Sequence, residues 1–213
     1  MRATRLRQIL GALSVVVLSA GSIGRASADA PLRAVEDTKG LFTISVPPDW
    51  MVGSSAFSEG FLGGLRKGRL ADYLLSAMAV NGPDVTGRTP FLAMAALDLP
   101  GPVSPEAFGR RAAPNLPSGF TLTQEGQAKI AGRPAYYMYF TADFGSGTPS
   151  FYGVLAFFTV GKTGFAIGGA TINDQEHIQK DFTAISMILE TFRPSPKLGG
   201  PPSKPQKAAV PGD

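Results

Sequence analysis

The segment from Phe151 to Val160 is apolar on both of its alternating faces, and this pattern constrains the fold more than any other in the chain. Side chains alternate across an extended strand, so one face holds Leu155 and Phe157. The opposite face holds Tyr152 and Val154. A strand that is apolar on both faces is normally buried inside a sheet that is covered on both sides. Two arrangements remain open: helices pack on each side, or one aromatic face is exposed and binds a partner.

Further segments carry the alternation and the flanking turn residues that are typical of strands. They are residues 41–46, 73–80, 92–97, 121–130, 135–142 and 165–171. Small residues, Ala166, Gly168 and Ala170, form one face of the last of these strands. We expect a helix packed on that face or, as the alternative, a ligand groove.

Trp50 follows the first predicted strand, residues 41–46, and we expect its ring to lie in the core.

Two helices are predicted from their capping signals. Ser104 followed by Pro105 is typical of a helix start and predicts a helix over 105–112. Asn173 has Glu176 three residues after it, which is the spacing of a capping box. Apolar residues then recur along one face of the helix that follows: Ile178, Phe182, Ile185 and Leu189.

Residues 1–28 have the parts of a bacterial Sec-type signal peptide, namely a basic start, a short apolar middle and a small-residue end. We expect cleavage between Ala28 and Asp29 and an exported protein, either periplasmic or secreted. The apolar stretch is shorter than the roughly 20 residues of a membrane-spanning helix. The alternative is an anchor that stays uncleaved at the N-terminus.

The remainder divides by composition into three parts. Residues 29–39 form a polar lead-in, and residues 40–193 form a single α+β domain. Residues 194–213 are rich in proline and lysine and lack aromatic side chains, which predicts a disordered tail.

Charge and cysteine content exclude several classes of function. The leader holds four of the 20 basic residues and none of the 16 acidic ones, so the chain after it carries equal numbers. That balance gives no support to nucleic-acid binding. The chain has no cysteine, which excludes disulfides, thiolate metal sites and a lipid-modified cysteine. His177 is the single histidine, so a three-histidine zinc site is excluded, and we expect no metal or cofactor.

The search for catalytic motifs predicts a protein that is not an enzyme. Gly161-Lys162-Thr163 resembles the end of a phosphate-binding loop, but Ala156 stands where that motif needs glycine. No Gly-x-Ser-x-Gly elbow occurs. The remaining candidates are loop carboxylates that could meet in space: Asp49, Glu59 and Asp143.

Two candidate binding regions remain. The first is an aromatic sheet face that is either a core or a docking surface, with the residues Tyr137, Tyr139, Phe151, Leu155 and Phe157. The second is a cluster of cations that could receive an anionic group, with the residues Arg66, Lys67 and Arg69. The alternative for this second region is a solvated loop or the charged guard of an edge strand.

In chain order, several short segments resemble the PsbP-like family of α+β domains. Residues 42–47 followed by Asp49-Trp50 resemble the family's first strand and its Pro–Trp turn. Residues 130–136, Ile-Ala-Gly-Arg-Pro-Ala-Tyr, resemble its central hairpin, and Thr191-Phe192-Arg193 resembles the end of its last helix. The resemblance covers roughly residues 38–193. It implies a single antiparallel sheet of about six to seven strands flanked by helices on both faces.

The resemblance also implies a non-enzymatic role, because the family includes extrinsic subunits of photosystem II, a Ran-binding transport factor and exported bacterial proteins. No motif matches a calcium, manganese or Ran site. We therefore expect an exported binding or accessory protein that docks on an envelope or periplasmic protein. The alternatives are a periplasmic carrier of a small apolar ligand and, third, a hydrolase built on carboxylates.

Overall fold

The computed structural model describes residues 31–53, 63, 71–83, 90–113, 119–143, 145 and 150–198. The leader with Ala28 and Asp29, Glu59, the cations from Arg66 to Arg69, and the tail beyond residue 198 lie outside the described residues.

The described chain contains ten strands and two α-helices of at least eight residues. The strands are β1 (Arg33–Glu36), β2 (Phe42–Val46), β3 (Met51–Val52), β4 (Leu74–Asn81), β5 (Phe91–Asp98), β6 (Phe120–Ile130), β7 (Arg133–Ala142), β8 (Phe151–Val160), β9 (Thr163–Ile172) and β10 (Arg193–Pro194). The helices are α1 (Pro105–Ala112) and α2 (Gln175–Glu190). Short 3₁₀ turns lie at Ala71–Tyr73 and Pro196–Leu198.

The strands form two antiparallel sheets. The main sheet has seven strands in the order β3-β4-β5-β9-β8-β7-β6, and a smaller sheet has the order β1-β2-β10. Strand β8 lies between β9 and β7, well inside the main sheet. This interior position explains why both of its faces are apolar.

Helix α1 covers one face of the main sheet, which we call the α1 face. The Phe108 ring of α1 meets the Phe157 ring of β8 edge to face, with ring centroids 5.4 Å apart. Gly109 brings the helix close to the sheet, because a Cβ there would lie 2.6 Å from Cδ1 of Tyr136. Ser104 caps the helix by accepting a hydrogen bond from the Ala107 N–H at 3.1 Å, as its sequence predicts.

Helix α2 and the smaller sheet cover the opposite face, which we call the α2 face. Four phenylalanine rings from both sheets and from the end of α2 pack together there: Phe42, Phe158, Phe165 and Phe192. Trp50 is also buried on this side, as expected. The predicted antiparallel sheet with helices on both faces is therefore confirmed.

Four local predictions need correction. The lead-in 29–39 contains strand β1, and at the other end regular structure continues through β10 and the turn Pro196–Leu198. Regular structure therefore extends beyond both predicted ends of the domain, residues 40 and 193. The first predicted strand pairs with β1 and β10 instead of joining the main sheet. Strand β7 begins at Arg133, two residues before the predicted start at residue 135, so it includes Pro134. Asp174, not Asn173, caps α2, because its side chain accepts the His177 N–H.

Candidate binding surface

The five residues of the predicted aromatic surface lie on opposite faces of the main sheet. Phe151, Leu155 and Phe157 belong to the core beneath α1 and are at most 4% exposed. Tyr137 and Tyr139 point to the α2 face, where they pack with a different set of side chains. The predicted face is therefore two surfaces, and the half beneath α1 is not available to a partner.

On the α2 face, four rings form a continuous line that we call the aromatic row: Tyr137, Tyr139, Tyr152 and Phe182. The ring centroids of Tyr137 and Tyr139 are 5.3 Å apart in an edge-to-face arrangement. Tyr139 and Tyr152 stack at 5.8 Å, and Phe182 of α2 lies 5.4 Å from Tyr152. Such geometries add to the burial energy of aromatic side chains.

Helix α2 covers the inner end of the row and leaves the outer end open. Tyr139 and Tyr152 are buried, whereas Tyr137 is only partly buried. Two aliphatic side chains that pack against the row are also partly buried, Val154 on β8 and Ile178 on α2. With Tyr137 they make up the partly exposed part of the row, which we call its open end.

Gly126 on the edge strand β6 makes room for Tyr137. A Cβ at this position would lie 2.7 Å from the hydroxyl oxygen of Tyr137, so the ring lies directly across the glycine. The ring of Tyr137 thus extends from β7 over β6, toward the free edge of the sheet.

A buried carboxylate lies at the inner end of the row, and sequence reasoning missed it. Asp181 of α2 is 7% exposed and accepts a hydrogen bond from the hydroxyl of Thr171 on β9. Thr171 is the register partner of Tyr152. The sequence does carry a signal, because Asp181 is three residues after Ile178 and so shares the apolar stripe of α2.

Burial raises the pKa of both inner tyrosines. The pKa of Tyr152 rises to about 12, and that of Tyr139 lies well above its ordinary value, mainly because burial disfavours the charged phenolate. Both side chains are therefore neutral at physiological pH. They act as apolar rings with a hydroxyl group, and they are not poised for acid–base chemistry.

These raised pKa values predict that the protein loses stability in alkali. Unfolded tyrosines ionise at their ordinary pKa of 10.0, whereas Tyr152 stays protonated to about 12, so the free energy of unfolding falls as the pH rises through that interval. Urea unfolding at several pH values would measure the slope. In Tyr152→Phe the slope should be shallower, whereas Tyr73→Phe at an exposed position should match the wild type. An unchanged slope in Tyr152→Phe would contradict the assignment.

On the α1 face, a polar cluster joins α1 to the same edge of the sheet. Arg110 donates to Oε1 of Glu106 at 3.1 Å and to Oε1 of Glu125 at 2.7 Å. The Tyr136 hydroxyl donates to the other oxygen of Glu125, and the guanidinium carbon of Arg110 lies 5.5 Å from the centre of the Tyr136 ring. Gln127 donates to Glu106 at 3.3 Å.

The charges of this polar cluster are well defined. The hydrogen bond from Tyr136 lowers the pKa of the Glu125 carboxyl, with a further contribution from Arg110. Burial, followed by the hydrogen bond to Glu125, raises the pKa of Tyr136 to about 12. One guanidinium is thus shared between two carboxylates, Glu106 and Glu125, and this cluster carries a net charge of −1.

Of the loop carboxylates considered as catalytic candidates, Asp49 is exposed, Asp143 lies in a turn and Glu59 lies outside the described residues. Within the described ranges, no group of three or more His, Cys, Asp or Glu side chains could hold a metal ion. Nδ1 of His177 lies 2.8 Å from the Asp174 carboxylate, at the N-terminus of α2. Asp143 accepts the Gly145 N–H at 2.9 Å in a turn.

Among the helices that the structure describes, none is long and apolar enough to cross a membrane.

Comparison with known proteins identifies the fold. No protein-family model and no curated protein matches the sequence. Among solved structures, cyanobacterial PsbP from Synechocystis matches with a TM-score of 0.51 and 13% identity, over 82% of this chain and 98% of the other. The Ran-binding protein Mog1p of Saccharomyces cerevisiae matches with a TM-score of 0.47 and 11% identity, over 81% of this chain and 100% of that one.

A third structure, from Bacteroides thetaiotaomicron, matches with a TM-score of 0.45 and 13% identity over 73% of this chain. This chain spans only 45% of the length of that protein. The PsbP match, which covers 82% of this chain and 98% of the other, carries the assignment of the fold. The chain therefore has the PsbP-like fold that its sequence resemblance predicted.

Proposed function

We propose that this chain is an exported, non-catalytic binding or accessory protein that docks on a protein of the cell envelope through the open end of the aromatic row. The observation that carries the proposal is the incomplete cover of the row. Tyr139 and Tyr152 are buried under α2, whereas Tyr137, Val154 and Ile178 are partly exposed beside them. Tyrosine is enriched at the centres of protein interfaces, and these centres are poor in charged residues.

The rigidity of this surface also supports a binding role. Tyr137 is held between the Tyr139 ring and the backbone of Gly126, and Ile178 is held in the first turns of a capped helix. A partner that docks on such a surface loses little free energy to the ordering of side chains. The open end is also bordered by polar groups, including the His177–Asp174 pair, which suit the rim of an interface.

The expected location follows from the leader. Residues 1–28 have the composition of a signal peptide, and the chain after them is balanced in charge and has no cysteine. A protein exported by such a leader would meet its partner in the periplasm or the outer envelope. Balanced charge favours recognition by shape and apolar contact over long-range steering.

The carrier alternative lacks a comparable observation. Its ligand groove would use the small-residue face of β9, but Ala166 and Ala170 are at most 1% exposed. Both pack in the same core as Leu155 and Phe157. The binding role is therefore the better supported of the two.

The proposal predicts that a charge at the open end abolishes partner capture. Ile178→Glu should lower the yield of a specific cross-linked partner, recovered from the cells that export the protein, by about tenfold or more, because it places a carboxylate in the apolar centre of the contact. Met187→Glu is the matched control, since Met187 lies on the same helix and is 49% exposed. Its yield should equal that of the wild type.

Both variants would first be compared with the wild type by thermal unfolding, so that a loss of capture is not a loss of folding. Tyr137→Ala provides a second substitution at the same surface, on a strand instead of the helix. Equal capture by the wild type, Ile178→Glu and Tyr137→Ala would overturn the proposed surface. Failure to recover any specific partner with the wild type would overturn the proposed function.

A further inference from the structure

Among the described residues, β6 is the outermost strand at one side of the main sheet, and its outward backbone groups are regularly spaced. The β6–β7 hairpin closes through Ala131 and Gly132, whose φ values of 50° and 76° are those of a two-residue type I′ turn. In such a hairpin, the Ile130–Arg133 pair is hydrogen bonded, and bonded and non-bonded pairs then alternate along the strand. The N–H and C=O groups of Glu125, Gln127 and Lys129 therefore point away from β7, to the open edge.

This edge is long, exposed and free of proline, so it can accept another strand. The side chains of Glu125, Gln127 and Lys129 are all exposed, and within the described part of the chain β7 is the only strand that pairs with β6. A bulge between Leu122 and Gln124 ends the regular register on one side, and the turn ends it on the other. The regular edge is thus limited to residues 124–130.

We infer that β6 pairs antiparallel with β6 of a second copy of this chain, about a two-fold axis at Gln127. A two-fold axis at any residue from 125 to 129 would match outward backbone groups with outward backbone groups. The axes at Gly126 and Ala128 pair a charged residue only with Gln127. An axis at Glu125 places that carboxylate against its own symmetry copy, and an axis at Lys129 does the same for the ammonium. The axis at Gln127 pairs Glu125 with Lys129 of the second copy, twice, so it combines about six backbone hydrogen bonds with two opposite-charge pairs.

The polar cluster on the α1 face supplies the charge complementarity. Glu106 and Glu125 share Arg110, so among the described residues of this cluster two carboxylates face one guanidinium, a net charge of −1. At the Gln127 axis, Lys129 of the second copy arrives beside Glu125 and neutralises that charge. No side chain hydrogen bond or ion pair occupies the Lys129 ammonium within the described part of this chain.

On the α2 face, the same edge carries small residues, which allow a second strand to approach closely. Gly126 and Ala128 alternate with the polar residues Glu125, Gln127 and Lys129, and the Gln127 axis sets Gly126 of one copy against Ala128 of the other. Tyr137 lies across Gly126, so its ring would contact the small side chain of the incoming strand. Two-fold pairing uses each β6 edge once, which makes a closed dimer and not an open fibre.

The test is sedimentation equilibrium of the full exported chain over a concentration series up to about 1 mM, since a contact of this size is expected to be weak. We expect a monomer–dimer equilibrium in the wild type. Lys129→Glu should raise the dissociation constant at least about tenfold, because it sets like charges together twice in each dimer. Lys180→Glu makes the same charge change at an exposed site on α2 and should leave the constant unchanged.

A charge exchange distinguishes this pairing from a merely structural role for Lys129. Glu125→Lys and Lys129→Glu should each be monomeric alone, because each would form like-charge pairs with itself. An equimolar mixture of the two should dimerise, because both cross-strand pairs are then of opposite charge. A wild type that stays monomeric throughout the series, or a mixture that does not dimerise, would overturn the inference.

The dimer and the proposed docking surface are tested by different substitutions, so either proposal can be overturned without the other. Ile178 is on α2 and not on β6, so Ile178→Glu should leave the dimerisation constant unchanged, whereas Lys129→Glu leaves Val154 and Ile178 intact. Tyr137 belongs to both surfaces, so no substitution of it is used to separate them. A wild-type dimer that resists Lys129→Glu would show a different interface and would also overturn the inference.

Discussion

Phe192→Ala is expected to lower the free energy of unfolding by about 3–5 kcal/mol, the usual cost of removing a fully buried aromatic ring. Phe192 is 1% exposed and follows the last turn of α2. Its ring stacks on Phe42 of the smaller sheet at 5.4 Å and meets Phe158 of the main sheet edge to face at 4.8 Å. One side chain therefore joins the helix to both sheets, and its loss opens a cavity where three elements meet.

Urea unfolding at neutral pH, followed by far-ultraviolet circular dichroism, would measure the change. Met187→Ala is the control, because Met187 lies on the same helix and is largely exposed. That variant should remain within about 0.5 kcal/mol of the wild type. If Phe192→Ala cost no more than the control, the smaller sheet would not be packed as described.

Local signals in the sequence predicted the helices and strands well, because the forces that set them act over a few residues. Ser104 and Pro105 place the start of α1 correctly, since the cap side chain and the following N–H groups are neighbours in the chain. The start of α2 shows the limit of this reasoning. Asn173 and Asp174 are both good caps, and only the hydrogen bond from the His177 N–H selects Asp174.

The alternation of apolar and polar side chains could not predict which strands pair when they are far apart in the chain. Strand β2 alternates in the same way whether it joins the main sheet or the smaller one. Its actual partners are β1, which directly precedes it, and β10, which lies almost at the other end of the described chain. The Thr191 side chain reinforces this choice by accepting the Ser45 N–H at 2.7 Å.

Register explains why the predicted aromatic surface divides between two faces. Alternation correctly separates Leu155 from Val154 within β8, but it does not say which of them shares a face with Tyr139. The observed register sets Tyr139 opposite Val154 and Tyr137 opposite Ala156, so both tyrosines lie on the α2 face. A shift of one residue would have placed them with Leu155 and Phe157 instead.

Gly153→Ala is expected to destabilise the protein by about 1–3 kcal/mol, although the same change in an open strand position would stabilise it. A Cβ at Gly153 would lie 2.2 Å from Cζ of Phe140 and 2.7 Å from the carbonyl oxygen of Gly169. Phe140 on β7 is the register partner of Gly153 on β8, and its ring lies across the glycine. Both obstacles belong to neighbouring strands, and the carbonyl is part of the backbone, so neither moves without disturbing the sheet.

A double-mutant cycle with Phe140→Leu tests the cause. The smaller side chain removes the overlap at Cζ, so the two substitutions together should cost less than the sum of their separate effects, by about 1 kcal/mol or more. Gly101→Ala is the control, since a Cβ there meets nothing within 4 Å. Strictly additive costs would show that the carbonyl of Gly169 is the decisive obstacle. A Gly153→Ala variant at least as stable as the wild type would contradict the packing of β7 on β8, and with it the position of Tyr137 and Tyr139 at the candidate binding surface.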